Sequence, residues 1–205
     1  MNNIFTDDIE KNDFIKMFGY GYYEDWKGYE YNAEKEVVEN CLVPFYNKTH
    51  TVLEIGCGGG MWTVNYLSPN YQLVYCIDVI SPTFPLTSNM NYIEVDSKNY
   101  YCTGVDNESI NFVWSFGTFC HFSIQACEEY MKNIYKKMKY GGRGVVMFAN
   151  WKRNFKLKHM NEINKCGNWY YNNEEYTLNM MNKLNFKNVK DVLPSFRDSI
   201  IYFEK

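Results

Sequence analysis

The chain has 205 residues, with 21 Lys and Arg against 24 Asp and Glu, and a formal charge of −3. Its length suits one domain that buries a full core without cross-links, and the acidic balance argues against a protein built to grip a phosphate backbone. The seven cysteines are scattered and form no C-x-x-C pair, so they read as small buried residues of a reducing compartment, not as a disulfide framework or zinc site.

No basic region followed by an apolar run marks the N-terminus, and no stretch approaches the ~20 apolar residues of a membrane span. A cytoplasmic protein without a membrane partner is expected. Aromatic residues make up 19% of the chain; composition bias can inflate that figure, so single tyrosines carry no argument.

In chain order, residues 7–18 and 33–46 read as helices, the second with Val37, Val38, Cys41 and Leu42 at helical spacing. Between them, 20–31 is aromatic and punctuated by glycine, a candidate lid. Residues 1–49 are therefore expected to form N-terminal helices and a lid packed on a core of 50–205, one domain overall. From His50 strands and helices alternate. Strands are predicted over 51–55, 72–78, 92–95, 110–116 and 144–149, with a short helix over 60–67. Ser123 should cap a helix running to about Lys139, its apolar side carrying Ile124, Cys127, Met131, Ile134, Tyr135 and Met138. Gly141 and Gly142 are expected to stop it. Asn173 should cap a last helix through Leu184, before strands over 189–193 and 199–203. Such alternation implies an α/β fold, a mainly parallel sheet covered by helices on both faces.

The stretch Val52-Leu-Glu54-Ile-Gly56-Cys57-Gly58-Gly59-Gly60 reads as a buried strand, an acidic residue near its end, and a glycine turn opening a helix. Cofactors of nucleotide type bind at the carboxyl end of such strands. A dinucleotide site wants G-x-G-x-x-G/A, but Met61 stands at the third position, and Glu54 is a poor neighbour for a pyrophosphate. A cofactor with a cationic end would suit that carboxylate. No P-loop run occurs. Asp78, closing the second strand, is placed to accept from ribose hydroxyls, and Asp96, after the third, from an adenine amino group.

Together with Asn111-Phe-Val-Trp-Ser-Phe-Gly-Thr-Phe-Cys-His121 and Met138-Lys-Tyr-Gly-Gly-Arg-Gly144, this series resembles the class I S-adenosylmethionine-dependent methyltransferases, over about 51–203. The resemblance implies a doubly wound, three-layer α/β/α fold. Its seven-stranded sheet would have order 3-2-1-4-5-7-6, the last strand antiparallel. It implies S-adenosylmethionine as cofactor and S-adenosylhomocysteine as product. Gly56, Gly58 and Gly60 would face the methionine part and Glu54 would support its amino group. Asp78 would hold the ribose, and Asp96 with Ser97 would lie by the adenine. Cys57, Val79, Ser115 and Phe116 complete the implied cofactor contacts.

The acceptor must be argued from the site. No [N/D]-P-P-[Y/F] motif follows the fourth strand, which disfavours adenine and amide methylation. His121, after that strand, suits a general base for an alcohol, which needs its proton accepted as the C–O bond forms. His50 and His159 are expected at the surface. A finer resemblance is to bacterial and viral methyltransferases of surface-glycan sugars, with Tyr23, Trp26, Phe119 and Trp151 as substrate-stacking candidates. Lys152, Arg153, Lys156 and Lys158 read as a solvated charge run. The expectation is a metal-free O-methyltransferase acting on a sugar or glycan, with a homodimer as the one oligomer considered and nucleic acid disfavoured. The alternatives are a small-molecule N- or O-methyltransferase for a non-sugar metabolite and a non-catalytic S-adenosylmethionine-binding module.

Overall fold

The computed structural model describes residues 31–95, 101–150, 152–153, 172–196 and 198–205. Helix α1 (Tyr31–Val37) continues through a wider turn, Val38–Leu42, and a tight one, Val43–Phe45, so the predicted 33–46 segment is helical nearly throughout. Of the four positions picked out by spacing, Val37, Cys41 and Leu42 are buried and Val38 is half-buried.

Seven strands follow: β1 (Asn47–Ile55), β2 (Tyr71–Asp78), β3 (Met90–Glu94), β4 (Ile110–Ser115), β5 (Met138–Phe148), β6 (Lys187–Asp191) and β7 (Ser199–Glu204). Their spatial order is β3-β2-β1-β4-β5-β7-β6. The first five pair in parallel, and β7 lies antiparallel between β5 and β6. This is the order and chirality the resemblance implied. β1 starts earlier than the sequence suggested, so His50 lies within it, partly exposed, at the end of the strand remote from the glycine turn.

Helix α2 (Ile124–Lys137) begins as expected, the Ser123 hydroxyl accepting from the Ala126 N–H at 3.1 Å. It ends differently. Gly141 and Gly142 do not stop it: the Met138 N–H closes the last turn on Ile134, and β5 starts at Met138. The glycines lie inside β5, where its register with β4 shifts between Ile110 and Phe112. A Cβ on Gly142 would come within 2.8 Å of the Lys139 carbonyl oxygen and 3.1 Å of that of Ile110. Gly142 is glycine because backbone meets backbone at the bulge, and Gly141 because it adopts φ of +77°. Helix α3 (Glu174–Lys183) is capped by the Asn173 side chain, which accepts from the Tyr176 N–H.

Successive residues of each central strand serve opposite cores. Leu53, Val113, Val146 and Phe148 pack with Met131, Ile134 and Met181 on one face. Val52, Phe112, Trp114 and Val145 pack with Cys41, Leu42, Trp62 and Leu67 on the other. A sheet covered on both sides needs such near-continuous apolar strands. Against that rule Glu54, 1% exposed, stands out: it occupies a core position between Cys76 of β2 and Trp114 of β4. The six described cysteines are buried, as expected of small apolar residues. Among the described residues no helix is long and apolar enough to cross a membrane.

Candidate active site

β1 ends against β2 through the Gly56 N–H, which donates to the Ile77 carbonyl at 2.7 Å. The chain then turns through Gly56, Gly58 and Gly60 at φ of +78°, +49° and +83°, a region that side chains beyond glycine rarely adopt. The three glycines are required for different reasons. A Cβ on Gly56 would fall 1.9 Å from the Thr118 Oγ1, and one on Gly60 2.4 Å from the Phe84 ring. Those two are enforced by the protein's own packing. At Gly58 and Gly59 a Cβ would meet nothing within 4 Å, and both are exposed. The backbone in this middle of the turn is open, with room for a ligand beside it. The Val64 N–H then donates to the Gly60 carbonyl, leading into the wide helical turn Thr63–Leu67.

Two carboxylates flank the turn. Glu54 Oε2 accepts from the Thr63 hydroxyl at 2.5 Å, while its Oε1 is buried without a hydrogen-bond partner. Burial chiefly pushes its carboxyl up to about 8, with the Thr63 bond pulling down and the Asp78 charge pushing further up. Asp78 closes β2, and its position confirms the strand end predicted for it. Its carboxylate accepts from the Gly58 N–H at 2.7 Å and from those of Val79 and Ile80 at 2.7 and 3.3 Å. Asp78 thus braces the glycine turn from the neighbouring strand, a role beyond the ribose contact that sequence suggested. Cys57 is buried within the turn and Val79 half-buried beside it.

The carboxyl end of β4 faces the same end of the sheet. Ser115, expected against the cofactor, is fully buried and donates its hydroxyl proton to the Ile55 carbonyl at 2.7 Å. It ties β4 to β1 and offers no side-chain atom to a ligand. Phe116 packs between Trp62 and Phe196, at ring separations of 5.0 and 5.9 Å, and stacks on Trp114. The Trp114 Nε1 is a second buried polar atom without a partner. His121 is buried in the tight turn Phe119–His121, its N–H donating to the Thr118 carbonyl.

Phe119 corrects another expectation. It is completely buried among Phe122, Tyr130 and Phe148, because the turn drives its ring into the core under α2; it cannot stack on a substrate. Tyr23, Trp26, Asp96, Ser97 and Trp151, like the predicted helix over 7–18 and most of the lid, lie outside the described residues. In the basic run, Lys152 pairs with Glu175 at 3.6 Å, and Arg153 reaches Glu174 at 2.5 Å and Asp191 at 2.7 Å. Arg153 is therefore a cross-link between α3 and β6. The solvated reading fails for it because two carboxylates converge on one half-buried guanidinium.

Sequence reasoning missed Thr63, Phe84 and Thr118. Only Phe84 carried a signal, its flanking prolines Pro82 and Pro85 marking a constrained loop; the others are set by which strand ends become neighbours. Among the described residues no group of His, Cys, Asp and Glu could hold a metal. The orphaned Glu54 oxygen, the carboxylate-braced turn and the open backbone at Gly58 fit a cofactor with a cationic amino-acid end.

Comparison with known proteins points the same way. A family model described as "Methyltransferase domain" matches residues 27–191, well over half the chain. Among curated proteins none matches. Of the solved structures, an S-adenosylmethionine-dependent methyltransferase from Archaeoglobus fulgidus is 18% identical, with TM-score 0.63, over 82% of this chain and 76% of its own. The complex between the Haloferax volcanii Trm112 methyltransferase activator and a chain named a methyltransferase matches at TM-score 0.70 and 10% identity, over 94% and 97%. Geranyl diphosphate C-methyltransferase from Streptomyces coelicolor, solved with S-adenosylhomocysteine, matches at TM-score 0.59 and 15% identity, over 80% and 63%. The chain thus spans less than two thirds of that last protein. At such identities the likeness is one of fold.

Proposed function

The chain belongs to the methyltransferase-domain family and is an S-adenosylmethionine-dependent methyltransferase, and from that premise we propose that it methylates a hydroxyl of a small molecule, with His121 as general base. The observation carrying this reading is the buried imidazole on the turn after β4, beside the strand ends that form the donor cradle. When bound, the cofactor supplies an electrophilic methyl on a sulfonium. Glu54 takes the ammonium, the Gly58–Gly59 backbone lies against the methionine part, and Asp78 holds both the turn and the ribose. Asp96 and Ser97 remain the proposed adenine neighbours.

On the acceptor side His121 receives the hydroxyl proton as the oxygen attacks. General-base help of this kind is worth about 10²–10⁴ in rate. Phe116, Trp62 and Phe196 form an aromatic group at the same sheet end, which suits an acceptor with an apolar face. Two neighbours in fold are named for small-molecule acceptors, geranyl diphosphate and N-acetylserotonin, which supports that size class. Within it, a sugar hydroxyl is the acceptor we propose first, with Trp26, Tyr23 and Trp151 as stacking groups.

Two measurements test the reading. A donor-consumption screen across nucleotide sugars, phenols, prenyl diphosphates, amines and RNA should give turnover with a hydroxyl compound; turnover confined to amines or RNA overturns it. With an acceptor in hand, His121→Ala should lower kcat about 10²-fold or more while donor affinity stays within about twofold. Unchanged turnover removes the base.

A further inference from the structure

We propose that Glu54 is a proton-linked counter-ion for the donor: neutral in the donor-free chain, it ionises as the ammonium arrives, so each donor taken up expels one proton. The inference rests on the donor reading of the glycine turn and deepens it.

The geometry makes this requirement. A carboxylate with both oxygens hydrogen-bonded tolerates burial; one with an unmatched oxygen pays the full cost of lost hydration. Glu54 is 1% exposed, its Oε2 has one donor, Thr63, and its Oε1 has none. Among the described residues the groups around it come from the elements packed on it. Thr63 lies on the helical turn, Cys57 on the glycine turn, Cys76 and Asp78 on β2, and Trp114 on β4. Both thiols are pushed up by burial and stay neutral. Asp78 carries negative charge and opposes a second one. None of these groups is cationic. The carboxyl is accordingly raised to about 8, above neutral pH.

An ammonium entering beside Oε1 reverses the balance, because it supplies both an opposite charge and the missing donor. The step balances without a co-reactant: a carboxylic acid and an ammonium become an ion pair, and one proton passes to solvent. At neutral pH the affinity for the donor is then set partly by the proton concentration. Below about 8, donor and product should bind about tenfold more tightly for each unit of rising pH.

Titration calorimetry of the full chain with S-adenosylhomocysteine tests this, since the product keeps the ammonium and lacks only the methyl. Measured at pH 7 in buffers of different ionisation enthalpy, binding should release about one proton. Between pH 6 and 7.5, where the ligand ammonium stays charged, Kd should fall about tenfold per unit. Binding with no proton exchange and a flat pH profile overturns the inference and leaves the donor reading standing. No uptake of donor or product at any pH overturns both. Glu54→Gln should bind without releasing a proton; release that persists in that variant assigns the proton elsewhere and refutes the proposal. Should Glu54→Gln not fold, Thr63→Val provides the check. It removes the bond that favours the charged form, so proton release should extend to higher pH; an unmoved profile counts against Glu54.

Discussion

The two halves of the site are built from different materials. On the donor side, β1 and β2 meet through backbone groups and two carboxylates: Gly56 on Ile77, Gly58 on Asp78, Glu54 on Thr63. On the proposed acceptor side, β4 leads into bulky rings and one imidazole, with Phe116 in contact with both Trp62 and Phe196. The donor half is short-ranged and fixed in geometry, as suits recognising one constant cofactor. The proposed acceptor half is side chain on side chain, with the Trp62 and Phe116 rings belonging to the buried core on one face of the sheet. The contrast is between a proposed donor grip made mainly of backbone and carboxylates and a proposed acceptor face made mainly of rings.

That contrast can be broken by substitution, beginning with the largest effect. Glu54 has a folded-state carboxyl raised to about 8 from 4.5. The donor-free folded chain holds its proton after the unfolded chain has lost it. Stability should therefore fall as pH rises from about 4.5 through about 8, by roughly 5 kcal/mol in all. Glu54→Gln should remove this slope, read as urea midpoints across pH. An equally steep slope in the variant would show that Glu54 is not the group responsible.

Next come the glycines. Gly56→Ala combines a positive φ with a clash on Thr118 and should cost roughly 3 kcal/mol, whereas Gly58→Ala meets no atom and should cost only about 1–2. If the two midpoints shift equally, the distinction between packing-enforced and ligand-facing glycines is wrong. Asp78→Asn replaces an acceptor of three N–H groups by one of lower charge. It should weaken product binding about tenfold, in line with the loss of charge-assisted bonds, with the acceptor KM unchanged. The smallest effect belongs to Ser115→Ala, which loses one buried hydrogen bond and about 1 kcal/mol of stability. Because that hydroxyl faces Ile55, donor affinity should stay as it was; a tenfold loss would return Ser115 to the cofactor site.

Much of the donor half was legible in the chain because its signals are local. A strand, a carboxylate and a glycine turn are consecutive, so Glu54, Gly56, Gly58 and Gly60 could be singled out together. Asp78 was legible as a strand end. Its grip on Gly58 was not, since that bond joins the turn after β1 to the end of β2. The acceptor half was harder to read. Phe119 and Phe116 look alike in sequence, yet they enter opposite cores, Phe119 against Phe148 and Phe116 against Trp62 and Phe196. Ser115 misled for the same reason, its partner lying on β1. Gly141 and Gly142 looked like a helix stop because turn and bulge use the same residue; only the pairing of β4 with β5 distinguishes them.

From the chain alone came the alternation of elements, the seven-stranded order and the cofactor through its resemblance, and the acidic residue near the end of the first strand. These follow from periodicity and from residues adjacent in sequence, which no packing can rearrange. The tertiary structure alone decided which glycines the protein needs for itself and which it leaves to a ligand. It also decided that Asp78 braces the turn, that Arg153 is a cross-link, and that Glu54 has one oxygen without a donor. Those properties depend on distances between strand ends far apart in the chain, and only the completed sheet sets them.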